Sequence, residues 1–419
     1  MYKAIVACML GSVFEWYDFA LYGYLAATLG KLFFPASDPL VSVIAAFGVF
    51  AAGFAIRPIG ALFFGHIGDK YGRKKALFIS MLMMTFPTVA LGCLPTYQQI
   101  GVVAPILLVI IRLVQGLSIG GNASGIFTFM IEYAPSHRRG FVGSLSVMSA
   151  IKGILLGSGV VAFLSYIMGQ ENLEAWGWRL PFFAGALIGL LAFYVRKKIP
   201  ETPRFKEKEE KVEENKHKSP IKELFKTNKK KLVRSIFMLV LNDIGFYVSF
   251  IYLATYMTMI VKIPLDMAML INTINMIVII LVAPIMGWIS DHVGRKPVMI
   301  AACILFFFSA IPVFYLIDTG GFWQPLLGQS VLAIGVAMYF GTMATVLVEK
   351  FPTSTRYTGL AVSLNVTAAL FGGTAPVIVS YFIDITGWNH VPAYYLMTGA
   401  IVSFIALLFV KDRYKEPLL

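Results

Sequence analysis

Six ionisable side chains lie deep inside long apolar stretches of the chain: Glu15, Asp18 and Asp243 against Arg57, Arg112 and Lys152. A charge at the centre of a bilayer costs at least about 2.5–3.5 kcal/mol, so each needs a partner or a task. Three acids against three bases permit mutual compensation. At about 1.5 Å of rise per residue, all but Arg57 fall roughly 15–21 Å in from their helix starts, near mid-membrane; Arg57 reads better as structural. Glu15 and Asp18 are three apart and share a helical face, with Tyr22 one turn beyond. Two carboxylates that close resist joint ionisation, which suits a reversible proton carrier. Arg112 or Lys152 could then hold a substrate carboxylate. Trp16, Tyr17 and Tyr22 offer ring faces to a quaternary ammonium group, although such rings equally serve as packing or interface anchors. Asn242, Asn275 and Asn365 could bond substrate or simply join helices.

The elements that must position these groups follow from composition. Of 419 residues, 58% are hydrophobic and 14% charged. An ordinary soluble domain carries about 25% charged residues. Three cysteines, Cys8, Cys93 and Cys303, are far apart and form neither a metal pattern nor a disulfide framework. A net charge of +13 could suggest nucleic acid, but the bases are confined to short stretches between apolar runs. Runs long enough to span about 30 Å of hydrocarbon begin near Ala4, Pro39, Ala76, Gly101, Phe141, Trp178, Val233, Met267, Val298, Phe322, Tyr357 and Val391. They are too long and too uniformly apolar for barrel strands, which leaves helices. The first run, holding Glu15 and Asp18, does not read as a cleavable signal peptide. With both termini placed in the cytoplasm, 29 Lys/Arg lie on that side against Lys31, Arg179 and Lys262 opposite. The mixed-sign loop Lys206–Lys218 reads as a solvated connector.

The chain repeats. GHIGDKYGRKK (Gly65–Lys75) follows the second run and GWISDHVGRKP (Gly287–Pro297) the eighth, an offset of 222 between Asp69 and Asp291. EYAPSHRRG (Glu132–Gly140) follows the fourth and EKFPTSTRYTG (Glu349–Gly359) the tenth, an offset of 217 between the glutamates. Two motif pairs at nearly one offset indicate duplicated six-helix bundles, with a substrate site expected between them near the midplane. The boundaries read as 1–199 for the first bundle, 200–232 for a central loop and 233–419 for the second. In the paired loops the glycines allow tight turns, Asp69 and Asp291 can sit at helix N-termini, and Arg73 and Arg295 can pair with Glu132 and Glu349. Together with Gly65, Arg139 and Arg356 these form candidate gating clusters.

GHIGDKYGRKK resembles the loop signature of the major facilitator superfamily, and Arg112-Leu-Val-Gln115-Gly116 resembles a second motif, which the family links to proton coupling. GSVFEWYDFALYGY (Gly11–Tyr24), RLVQGLSIGG (Arg112–Gly121), WGWRLPFF (Trp176–Phe183), ETPRF (Glu201–Phe205) and KFPTSTRYTG are similar to the metabolite:proton symporters. DPLVS (Asp38–Ser42) and PAYYLM (Pro392–Met397) narrow the likeness to bacterial proline/betaine transporters. The likeness covers all twelve runs. It implies an all-α membrane protein of two pseudo-symmetric six-helix bundles, working by alternating access in a cell inner membrane. It further implies proton symport of a zwitterionic osmolyte or amino acid. Glu15, Asp18 and Arg112 are the expected proton-coupling residues. Tyr17, Tyr22, Arg112, Asn122, Lys152, Asp243 and Asn365 are the expected substrate contacts. Protons are the coupling ion, no other cofactor or metal is expected, and the partners are a small molecule and the bilayer, with no nucleic acid and a monomeric state.

Three departures stand out. Gly120-Gly121-Asn122 has Asn where these symporters usually carry Glu, and neither Lys152 nor Asp243 matches a family hallmark. Losing an acid and gaining a base tilts toward anions, so a mono-, di- or tricarboxylate is the alternative substrate. No heptads follow Val410, so osmotic regulation by a coiled-coil tail is not expected. A nutrient sensor without transport is a third reading; an enzyme finds no nucleophile–base pair or nucleotide loop to support it.

Overall fold

Inside hydrocarbon no water bonds the peptide groups, so each apolar run closes its own hydrogen bonds as a helix. The computed structural model describes residues 2–35, 45, 48–49, 52–197, 200–203, 205, 207 and 219–418, and among them there is no strand. The long helices are α1 (Tyr2–Tyr24), α2 (Arg57–Tyr71), α3 (Arg73–Cys93), α4 (Val103–Tyr133), α5 (Arg139–Ala175, interrupted at Gly169), α6 (Leu180–Lys197), α7 (Lys229–Met259), α8 (Leu265–Val293), α9 (Arg295–Asp318), α10 (Trp323–Lys350), α11 (Arg356–Thr386) and α12 (Val391–Leu408), with short ones at Ala26–Phe33, Tyr97–Ile100 and Pro220–Thr227. Among the described residues eleven helices are long and apolar enough to cross a bilayer. The start of the second run at Pro39, the DPLVS segment and most of Lys206–Lys218 lie outside the described residues, so α2 stands for the later part of its run.

Two compact units emerge, residues 1–133 with 149–221 and residues 134–148 with 222–419. This grouping departs from a division at 199 and 233 in two places: residues 134–148 go with the second unit, and the central stretch is shared, up to 221 with the first unit and from 222 with the second. The first turns of α5 belong to the second unit because the amides of Gly140 and Phe141 donate to Asp291 at 2.7 and 2.9 Å.

In the first unit, α2 and α4 touch backbone to backbone. A Cβ on Gly116 would lie 2.1 Å from the Gly53 carbonyl oxygen, and one on Gly120 2.3 Å from that of Arg57. Small residues at such seams let helices meet where lipid offers no hydrophobic drive. Tyr17, Leu21, Leu29, Phe33, Trp178 and Phe182 form an enclosed apolar cluster.

The second unit is joined partly by amides. Gln329 on α10 donates to Asn272 Oδ1 on α8 and to the Ser249 carbonyl on α7, both at 2.7 Å, and Asn275 on α8 accepts from Ser330 at 2.8 Å. Asn275 is thus a helix-to-helix bond. Both α7 and α11 contain a wide π turn, at Tyr247–Tyr252 and Ala368–Gly372. These turns adjoin: a Cβ on Gly372 would come within 2.8 Å of the Tyr247 ring.

Candidate functional site

Polar residues of α1, α3 and α4 converge inside the first unit. Asp18 is completely enclosed. Its Oδ1 accepts from Thr88 Oγ1 at 2.7 Å, and its Oδ2 accepts from Gln115 Nε2 at 3.0 Å and faces Arg112 Nη1 at 3.5 Å. Gln115 sits three residues after Arg112, so one face of α4 presents both groups to the carboxylate. The Arg112 guanidinium lies over the Tyr22 ring, 3.9 Å from its centroid. Its Nε and Nη2 are buried and meet no protein acceptor among the described residues. One turn away from Asp18, buried Glu15 accepts from Asn122 Nδ2 at 2.9 Å, and Asn122 Oδ1 accepts from Ser80 at 3.4 Å.

Glu15 and Asp18 therefore have separate partners: an amide for one, a cation with two neutral donors for the other. Tyr17 stands apart from both. It is enclosed in the apolar cluster and donates its hydroxyl to the Pro181 carbonyl at 2.8 Å, which ties α1 to the start of α6. That hydroxyl is already used within the protein, and the ring is packed on every side. Arg57 stacks on Phe54 and Phe19, at 3.7 and 5.2 Å from their centroids, in keeping with a structural part. Lys152 on α5 is exposed and makes no ion pair among the described residues. In the second unit Asp243 is half-buried beside Asn242, whose Nδ2 lies 3.5 Å from it, and Asn365 donates to the Ala361 carbonyl of its own helix at 2.8 Å.

The paired loops form two closely related clusters. In the first unit Arg73 donates to the Gly68 carbonyl at 2.7 Å and faces Asp69 at 3.3 Å and Glu132 at 3.5 Å. Glu132 also accepts from Thr202 at 2.6 Å. In the second, Arg295 donates to the Ser290 carbonyl and to Asp291, both at 2.7 Å, and faces Glu349 at 3.1 Å, while Arg139 lies 3.8 Å from Glu349. Asp291 takes the first free amides of α5, where a carboxylate is favoured by the helix dipole. Buried Arg356 opens α11 and donates to the Val348 and Phe351 carbonyls. Gly65 is buried on α2; at the matching place on α8, a Cβ on Gly287 would lie 2.6 Å from the Gly140 carbonyl oxygen.

A second repeat completes the clusters. Glu201, just after α6, accepts from the Lys74 amide at 3.0 Å, and Asp412, just after α12, accepts from the Lys296 amide at 2.9 Å. Each acid caps the helix that opens with the loop arginine. Each also faces a turn glycine of positive φ, Gly72 at 107° and Gly294 at 102°, conformations that exclude most side chains. Burial pushes the Glu201 carboxyl above the ordinary glutamate value, against the opposing pull of the Thr202 and Lys74 amides and of Arg73.

Sequence reasoning passed over Gln115, Thr88, Glu201 and Asp412. Gln115 lay inside a quoted motif at helical spacing from Arg112, and Glu201 and Asp412 follow the last run of each half. Thr88 carries no such signal.

Residues 3–234 match the family described as Sugar (and other) transporter, and residues 235–418 match the Major Facilitator Superfamily. The chain belongs to the major facilitator superfamily. Within the superfamily it is 37% identical to a glycine betaine/proline/ectoine/pipecolic acid transporter, OusA, of Dickeya dadantii, and 38% identical to a proline/betaine transporter of Salmonella typhimurium. Each alignment covers 99% of this chain and 84% of the relative. The structure of the proton:xylose symporter XylE superposes with a TM-score of 0.81 at 19% identity, covering 100% of this chain and 97% of that one, a likeness of fold. A major facilitator protein of this kind is a multi-pass membrane transporter.

Proposed function

We propose that the chain is a proton-coupled symporter that takes up a zwitterionic osmolyte or amino acid of the proline/betaine type by alternating access. Both termini would lie in the cytoplasm of a bacterial inner membrane, the side favoured by 29 of the 35 Lys/Arg. The observation that carries the reading is the enclosed Asp18–Arg112 pair with Tyr22 beneath the guanidinium. Arg112 spends one nitrogen on Asp18 and keeps Nε and Nη2 without a protein acceptor. A planar fork with two donors to spare matches a substrate carboxylate. Protonation of Asp18 removes the charge holding Nη1 and leaves the carboxylic acid to Thr88 and Gln115. The guanidinium is then released to the substrate, and loss of the proton reclaims it. Tyr22 keeps its ring against the cation throughout. In this scheme Glu15 holds Asn122 and shapes the same seam.

Uptake of radiolabelled proline or betaine into proteoliposomes tests the reading. Accumulation should follow an imposed inward proton gradient and collapse in Asp18→Asn; accumulation indifferent to the gradient defeats proton coupling. Exposed Lys152, without an ion pair among the described residues, favours one second reading, an organic-acid substrate. Excess 2-oxoglutarate or citrate should leave betaine uptake unchanged on the first reading and abolish it on the second.

A further inference from the structure

Outside the transport seam, one cleft in the second unit gathers charge that the function above does not use. It is about 290 Å³ in volume including its open mouth, and Arg295, Lys296, Glu349, Lys350, Asp412 and Arg413 are among its lining residues, with Leu407 and Val410 at an apolar wall. The carboxylates around it are already engaged. Glu349 faces Arg295 and Arg139, Asp412 accepts the Lys296 amide, and Glu416 binds Lys411 and Arg413 at 2.7 and 2.6 Å. Nothing is left for Lys350. Among the described residues its ammonium nitrogen is enclosed without a protein acceptor, as is Arg413 Nε, and its strongest electrostatic neighbours are two further cations, Arg234 and Lys231. With Asp291 counted, the locality holds four carboxylates against eight cations, an excess that an enclosed ammonium makes costly.

We propose that this cleft binds a phosphate group. Its donors are a mixture of compact ammonium and planar guanidinium groups beside the start of α9, whose Lys296 amide Asp412 already takes. A phosphate supplies oxygens in enough directions to serve Lys350 and Arg413 together, and its negative charge, one on a phospholipid diester and up to about two on a soluble phosphate, offsets the local excess. A halide has no such directions. The group comes either from a soluble phosphate compound or from the headgroup of an anionic phospholipid, since the apolar wall adjoins the end of α12. Once bound, it ties the end of α10 to the segment after α12 and should stabilise the second unit.

The test uses the full chain in nanodiscs of phosphatidylcholine, with thermal unfolding as the readout. If the source is soluble, inorganic phosphate raises the midpoint by about 2 °C or more over chloride at equal ionic strength. If the source is lipid, discs containing phosphatidylglycerol show the rise and added phosphate contributes nothing further. In either case Lys350→Gln and Arg413→Gln each remove the rise, and Lys226→Gln, on an exposed residue elsewhere, retains it. Lys350→Met in phosphatidylcholine without phosphate should also unfold higher than the parent, because it deletes the unpaired charge. No rise with either anion, a rise that survives Lys350→Gln, or a Lys350→Met midpoint no higher than the parent overturns the proposal.

Discussion

Replacing Asp291 with Asn changes one atom type at the point where α5 begins. In the parent chain Oδ1 receives both the Gly140 amide and Arg295 at 2.7 Å, while Oδ2 receives the Phe141 amide at 2.9 Å. Asn retains a single oxygen. Left on Gly140 and Arg295, it turns its NH₂ toward the Phe141 N–H, donor against donor. One hydrogen bond to a charged acceptor is lost, worth about 1.5–3 kcal/mol, and a weaker acceptor replaces the carboxylate on the other two donors. A total near 3 kcal/mol multiplies the population in which the first turn of α5 leaves Asp291 by roughly a hundredfold. Ser144 reports on this. It is fully buried, and a Cβ on Gly287 would lie 2.7 Å from its hydroxyl. With Cys8, Cys93 and Cys303 changed to Ser and Ser144→Cys introduced, maleimide labelling in nanodiscs should accelerate by tens of times in Asp291→Asn. A labelling rate within about twofold of the parent, for a chain that still unfolds cooperatively, would refute the reasoning.

Three other outcomes follow from the geometry. Because burial raises the Glu201 pKa, the folded chain holds that proton more tightly than the unfolded chain does. This group's contribution is full below the ordinary glutamate value and is lost as pH rises through the folded one. The advantage of the parent over Glu201→Gln in thermal unfolding should therefore be larger near about pH 4 than near pH 7. Asn122→Glu sets a second carboxylate against Glu15 in place of the 2.9 Å amide contact. The two acids must then share a proton, and their mutual repulsion holds it to higher pH, so the pH profile of uptake should shift toward alkaline with little loss of maximal rate. Tyr22→Leu removes the ring under Arg112, and at about 1 kcal/mol or more for a desolvated cation–π contact the KM should rise at least about fivefold. Tyr22→Phe should stay within about twofold of the parent if the ring face is what matters.

The long apolar runs and the repeated loops were legible because lipid imposes one solution on each run and duplication writes the loop chemistry twice. Arg73–Glu132 and Arg295–Glu349 could be paired from spacing alone. The amide and hydroxyl partners of Asp18 could not be, since Gln115 and Thr88 come from two other helices at depths that no periodicity specifies. The bond of Tyr17 is hidden for a related reason. A tyrosine next to an acid on a membrane helix looks available, yet its ring points a different way around α1 and its hydroxyl finds Pro181 164 residues on. The partnership of Tyr256 and His390 with Asp318, each at 2.6 Å, likewise joins ends of three helices that look unrelated in one dimension.

The wide turns in α7 and α11 bear on that last contact. A π turn holds about one residue more than the ordinary winding, so whatever follows is rephased by about 100° around the helix axis. Tyr256 lies beyond the turn at Tyr247–Tyr252 and reaches Asp318 only in the shifted phase. Winding the same residues as a regular α-helix, with none removed, would aim Tyr256 away from its carboxylate, whereas deleting one amino acid between 247 and 252 should straighten α7 and leave that aim unchanged. The helix trades uniform winding for correct aim.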